Sequence, residues 1–119
     1  MAKILLADDE SVLRMLITDT LEDEGHTVVE ACSGKEAINV LKTEEHYDLV
    51  ILDYMMPVFT GMEVFTQMKQ MDLSPFPPVL ILTAKTQKSV REEVENSGAN
   101  FMSKPFSPLE LAERVEALT

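Results

Sequence analysis

The sequence predicts an α/β protein of five β–α units, an open parallel sheet with helices packed over both faces. Three observations carry this prediction. Ile4-Leu5-Leu6-Ala7, Leu49-Val50-Ile51-Leu52, Val79-Leu80-Ile81-Leu82 and Phe101-Met102-Ser103 are short runs without the alternation of a half-exposed strand, as in strands buried on both faces. Amphipathic stretches of helix length separate them. Each run stops at a residue that can do chemistry: Asp8-Asp9, Asp53, Thr83 and Lys104-Pro105. Parallel strands deliver their C-terminal ends to one edge of a sheet, where an open α/β fold binds its ligand, so these groups are expected to converge.

Taken in order, residues 2–7 form the first strand; the N-terminus begins like a signal peptide, but its apolar stretch is too short and runs into Asp8-Asp9-Glu10. A helix over 10–24 follows, striped by Leu13, Leu16, Ile17 and Leu21 and stopped by Gly25 in the left-handed position past its end. Residues 27–31 are a strand and 34–44 a helix opened by the S-x-x-E box of Ser33 and Glu36. The strand over 48–53 leads to a helix over 61–70, opened by Thr60 with Glu63 and striped by Val64, Phe65 and Met68. Pro75-Phe76-Pro77-Pro78 is a rigid turn into the strand over 78–82. The helix over 86–97 has only Val90 and Val94 as strong apolar anchors, which leaves open an ordinary peripheral helix and a mobile switching element. Gly98 ends it, residues 100–103 form the last strand, and Ser107 with Glu110 and Pro108 open the final helix over 108–118, striped by Leu111, Val115 and Leu118. The eight methionines are read as core gap-fillers.

A length of 119 residues with 45% hydrophobic content fits one domain over 1–119. The longest apolar stretches fall far short of the roughly 20 residues that span a bilayer, so no membrane segment is expected. Cys32 is the only cysteine, which excludes an internal disulfide and suits a reducing, cytoplasmic location. A formal charge of -11 disfavours direct contact with nucleic acid or anionic lipid, which need basic patches. His26 and His46 lack ligand-like spacing and read as surface or loop residues.

Asp53, at the end of a central strand, can attack phosphorus and carry an aspartyl phosphate. A carboxylate is already ionised at neutral pH, so catalysis reduces to in-line positioning and neutralisation of phosphoryl oxygens, for which Mg²⁺ is suited. Asp9, Asp53, an outer Asp8 and a backbone carbonyl near Met55 can supply its ligands. Three acids against Mg²⁺ and Lys104 make a neutral resting site. Phosphorylation adds negative charge for Thr83 and Lys104 to answer, and a hydroxyl drawn onto the phosphoryl group displaces its loop.

Asp8-Asp9, Asp53 with Pro57 and Gly61, Thr83-Ala84 and Lys104-Pro105-Phe106 together resemble the response regulator receiver domains (CheY-like) of two-component signalling, over the whole chain. The resemblance implies a flavodoxin-like (βα)5 sheet in strand order 2-1-3-4-5. It also implies a phosphoacceptor Asp53, a metal site of Asp8, Asp9, Asp53 and the Met55 backbone, and a catalytic and switch pair of Thr83 and Lys104. A cis Lys104-Pro105 bond and a switching aromatic at Phe101 follow from the same likeness, as does a role for Met55 and Lys85 in setting phosphoryl lifetime. The implied partners are a sensor histidine kinase or phosphotransfer protein, and a downstream effector or a C-terminal output domain. A homodimer through the fourth helix, fifth strand and fifth helix is a further implication. No output segment follows Thr119 in this sequence, which fits both a stand-alone receiver and part of a longer regulator. Two features depart from the family pattern: Gly98 lies six residues before Lys104 rather than seven, and Val58-Phe59-Thr60 replaces the common Gly-Met-Asp, an apolar rim suited to a partner contact or a loop anchor.

Competing readings are weaker. An aspartate-nucleophile phosphatase usually carries a second Asp where Met55 stands, and a flavin or nucleotide carrier would need a Gly-rich segment after the first strand. A phosphorylation-independent docking module is the remaining alternative, usually marked by a lost Asp or Lys that here is present. Singly, strand-end acids cap helices or form turns, which accounts for Asp9 but not for Asp53 or Lys104. Glu92, Glu93, Glu95, Glu113 and Glu116 point to a basic partner or to simple solvated faces.

Overall fold

The computed structural model describes residues 1–43, 46–84 and 87–119. Its elements are β1 (Lys3–Ala7), α1 (Ser11–Asp23), β2 (Thr27–Ala31), α2 (Gly34–Leu41), β3 (Leu49–Asp53), α3 (Gly61–Gln70), β4 (Val79–Thr83), α4 (Lys88–Asn96), β5 (Asn100–Ser103) and α5 (Pro108–Leu118). All five strands pair in parallel in the order β2-β1-β3-β4-β5, the flavodoxin-like order. The chain runs outward from β1 to β2 and then returns past β1 to β3. This reversal opens a crevice at the carboxyl ends of β1 and β3.

Successive strand residues point to opposite faces, which divides the apolar runs between two cores. Leu5, Val50, Leu52 and Ile81 pack with Ile38 of α2, Val64, Phe65 and Met68 of α3 and Val94 of α4. Ile4, Leu6, Leu49, Ile51, Leu80 and Leu82 pack on the other face with Ile17 and Leu21 of α1 and Leu111 and Val115 of α5. Every residue of β3 and β4 is buried. Each large apolar side chain so buried contributes about 1.5–3 kcal/mol, and the central strands are therefore the rigid base on which the site rests.

Gly25 and Gly98 adopt φ of 91° and 95°, left-handed as the sequence predicts. Complete capping boxes open α3 and α5. At α2 only half of the box forms. Ser33 Oγ accepts from the Glu36 N–H, but the Glu36 carboxylate reaches one residue further back, to the Cys32 N–H at 3.2 Å and the thiol at 3.3 Å. That contact pushes the Cys32 thiol above its ordinary pKa.

Several expectations are corrected. Leu16 is 56% exposed, because the stripe of α1 facing the sheet is narrowed to Ile17 and Leu21 with Leu13 beside them. Met68, Met56 and Met102 are core residues, whereas Met1, Met15 and Met55 are not. His26 is a loop residue as expected, half-buried, and its Nδ1 accepts from the Ala2 N–H at 3.0 Å, tying the start of β2 to that of β1. The expected helix ends at 44 and 86 lie outside the described residues; α2 runs to Leu41 and α4 starts at Lys88.

Candidate functional site

Four strand ends supply the site. Asp8 follows β1, Asp53 ends β3, Thr83 ends β4, and Lys104 follows β5. Adjacent pairing brings them together: Thr83 sits opposite Ser103, the Lys104 N–H donates to the Thr83 carbonyl at 2.8 Å, and the Tyr54 N–H donates to the Leu82 carbonyl at 2.7 Å. The Lys104 ammonium lies 3.2 Å from Asp53 Oδ1 and 3.6 Å from Asp8 Oδ2. Asp8, Asp53 and Thr83 are buried, and Asp9 is exposed at the mouth. The Lys104–Pro105 peptide is cis.

Asp9 does not cap α1. The Glu10 N–H is taken instead by Asp8 Oδ1 at 2.8 Å, which turns the Asp8 side chain inward and leaves Asp9 toward solvent. Burial is the first cause acting on the Asp53 carboxyl, and with the neighbouring Asp8 it pushes the pKa from 3.8 up to about 6; Lys104 and the Met55 N–H oppose the rise. Burial also raises Asp8, against the pull of the Glu10 N–H and Lys104. Among the described residues, two buried acids that resist ionisation beside one ammonium form a site short of positive charge.

That shortage suits a divalent cation. Oxygens of Asp8, Asp9 and Asp53 lie within 4.8 Å of one another. Asp8 Oδ2 is buried without a hydrogen-bond partner among the described residues, a lone pair left for a ligand. Hard carboxylate oxygens are the donors that Mg²⁺ takes, so the residues fit the ion.

Phe101 is buried three residues before Lys104, with the Arg91 guanidinium 5.2 Å from its ring centroid and its carbonyl accepting from Arg114 at 2.9 Å. The shorter Gly98 segment leaves the β5 register intact, anchored by Asn100 Nδ2 donating to the Val79 carbonyl at 3.2 Å. Lys85 lies outside the described residues.

Sequence reasoning missed three supports of the site. Arg14 Nη1 donates to the Asp8 carbonyl at 2.6 Å while its Nε meets Glu30 at 2.9 Å, bracing the end of β1; its signal was that it is the only basic residue of α1. The Tyr54 hydroxyl donates to Glu93 at 2.7 Å, linking the residue after Asp53 to α4. Gly34 is a close-approach position, as is Gly61, which the sequence motif already names. A Cβ on Gly61 would lie 2.4 Å from the Asp53 carbonyl oxygen, and one on Gly34 would lie 2.5 Å from that of Phe59.

A doubly wound parallel sheet that gathers an acidic trio, a hydroxyl and a lysine at its carboxyl edge defines a receiver-type regulatory domain. The comparisons agree: the response regulator receiver domain family matches residues 4–116, and the chain belongs to that family. It is 40% identical over 117 residues to the alkaline phosphatase synthesis transcriptional regulatory protein PhoP of Bacillus subtilis, covering 98% of this chain and 48% of that protein. The chain thus spans about half the length of the curated relatives it matches. Among solved structures, the chemotaxis protein CheY4 of Vibrio cholerae superposes with a TM-score of 0.91 at 32% identity, covering 100% of this chain and 99% of that one. The response regulator TrrA of Thermotoga maritima, in complex with Mg(2+)-BeF, superposes at 0.85 with 32% identity and covers 100% of both chains. No helix among the described residues is long and apolar enough to cross a membrane.

Proposed function

We propose that residues 1–119 act as one receiver domain, a phosphoacceptor switch in which Asp53 takes a phosphoryl group from a sensor histidine kinase or phosphotransfer partner. The observation that carries this reading is the Lys104 ammonium held 3.2 Å from Asp53 and 3.6 Å from Asp8 across otherwise distant strands. The Asp53 carboxylate attacks phosphorus, the acyl phosphate bond forms, and the bond to the donor nitrogen breaks with its electron pair left on the imidazole. Asp8, Asp9, Asp53 and the Met55 backbone carbonyl would hold Mg²⁺, which when bound would supply charge neutralisation for the phosphoryl oxygens. The complex of TrrA with Mg(2+)-BeF supports this assignment.

Lys104 and Thr83 then donate to phosphoryl oxygens. Thr83 ends β4, so a shift of its hydroxyl pulls on the segment leading to α4, in which Val94 is the only buried residue. An element held by so few apolar contacts moves at small cost, and Phe101 beside it repacks. The α4–β5–α5 face thereby controls binding of an effector, an output domain or a second copy. The transcriptional relatives about twice as long favour an output domain, and the setting is cytoplasmic.

Incubation with acetyl phosphate and Mg²⁺, followed by intact mass measurement beside Asp53→Asn, tests the proposal. The wild type gains one phosphoryl group and the variant none. Equal masses would overturn it.

A further inference from the structure

The β3–α3 turn carries strain that phosphoryl chemistry does not use. Val58 sits at φ 70°, a left-handed conformation costly for a β-branched residue. Its side chain is 75% exposed, so little packing offsets the cost, and Met55 nearby is 52% exposed. An apolar side chain kept at a strained, solvated position points to a contact made with something else.

Next to this turn, a groove of about 610 Å³ runs between α3 and α4. Tyr54, Met55, Phe59 and Met62 give it an apolar lining, and its charged lining residues are Glu63 and Glu93. Each carboxylate is held in place by a neutral donor: Glu63 accepts from the Thr60 N–H at 2.9 Å and Glu93 from the Tyr54 hydroxyl at 2.7 Å. Neither has a cationic partner among the described residues. The two acids are therefore positioned in advance and uncompensated, in a chain of net charge -11.

We propose that the α3–α4 groove is a docking site for a partner segment that presents apolar side chains flanked by arginine or lysine. The apolar lining supplies area and the two fixed carboxylates supply charge complementarity and register. The groove adjoins the phosphoacceptor site through Tyr54 and Met55, but its test needs no phosphodonor.

The intact ¹⁵N-labelled chain is titrated with a synthetic amphipathic peptide placing two leucines one helical turn apart between arginines, and with a control peptide carrying glutamates instead. The arginine peptide should shift the amide resonances of Met55, Met62 and Glu93 saturably, while the control leaves them unmoved. Glu63→Gln and Glu93→Gln should each weaken binding by roughly three- to tenfold. Tyr54→Phe keeps the ring and both carboxylates but releases Glu93, so it should weaken binding about two- to threefold, less than Glu93→Gln, which separates the charge from its positioning. Equal binding of both peptides, shifts centred on Val12 or Arg114, self-association through the groove in sedimentation, or no saturable binding would each overturn the proposal.

Discussion

Replacing Asp53 by asparagine should make the metal-free protein more stable at neutral pH, although it removes the proposed phosphoacceptor. The carboxyl titrates near 6 in the folded state against 3.8 in its ordinary state, chiefly because it is buried and next because Asp8 is close. A gap of that size corresponds to about 3 kcal/mol of disfavoured charge. Between about pH 4 and pH 6 the folded state holds a proton that the unfolded chain has released, so stability falls as pH rises through this window. The penalty is complete above about pH 6 and absent below about pH 4. Asparagine removes the charge and relieves Asp8, but it costs Lys104 one of its two partners, about 1 kcal/mol. The net gain at pH 7.5 in chelator is about 1–2 kcal/mol, or a rise in Tm of roughly 4–8 °C. Urea denaturation followed by far-ultraviolet circular dichroism from pH 4 to 8 measures it. Excess Mg²⁺ should reverse the order, since a ligand at a hundred times its Kd adds about 2.7 kcal/mol to the wild type and much less to the variant. A variant no more stable than wild type at pH 7.5 in chelator, or a difference that does not shrink on acidification, would refute the reasoning.

Gly61→Ala places a methyl group 2.4 Å from the Asp53 carbonyl, so it should lower stability by about 2–4 kcal/mol and slow phosphorylation by acetyl phosphate, read by denaturation and intact mass. Val58→Gly relieves the left-handed turn and should raise stability by about 0.5–1.5 kcal/mol in the same denaturation assay. Met55→Asn should shorten the phosphorylated state, because an amide there can orient an attacking water and the thioether cannot; a time course of phosphate release checks this, and a longer lifetime would count against it.

The strands were the most legible part of the chain. Every residue of β3 and β4 is apolar up to the terminal Asp53 and Thr83, and burial on both faces leaves such a run few alternatives. The capping boxes at Thr60 and Ser107 were equally plain, since both partners lie within one helical turn. Leu16 misled because helical spacing says which residues share a stripe, not how wide a stripe the sheet covers. The Ser33 box was half right because Cys32 offered Glu36 a backbone N–H at nearly the same reach.

What the sequence by itself determined was the set of elements, their order and the chemical types at the strand ends, because each depends on residues within a turn or two of one another. Tertiary structure alone decided that Asp8 is buried and Asp9 exposed, that Arg14 braces the end of β1 at the Asp8 carbonyl while Glu30 of β2 holds its Nε, and that Tyr54 meets Glu93 across 39 positions of chain. It also decided that Gly34 must lack a side chain, because the Phe59 carbonyl passes over it. These contacts depend on the strand order, which sets β1 between β2 and β3 and so makes neighbours of groups that no local pattern relates.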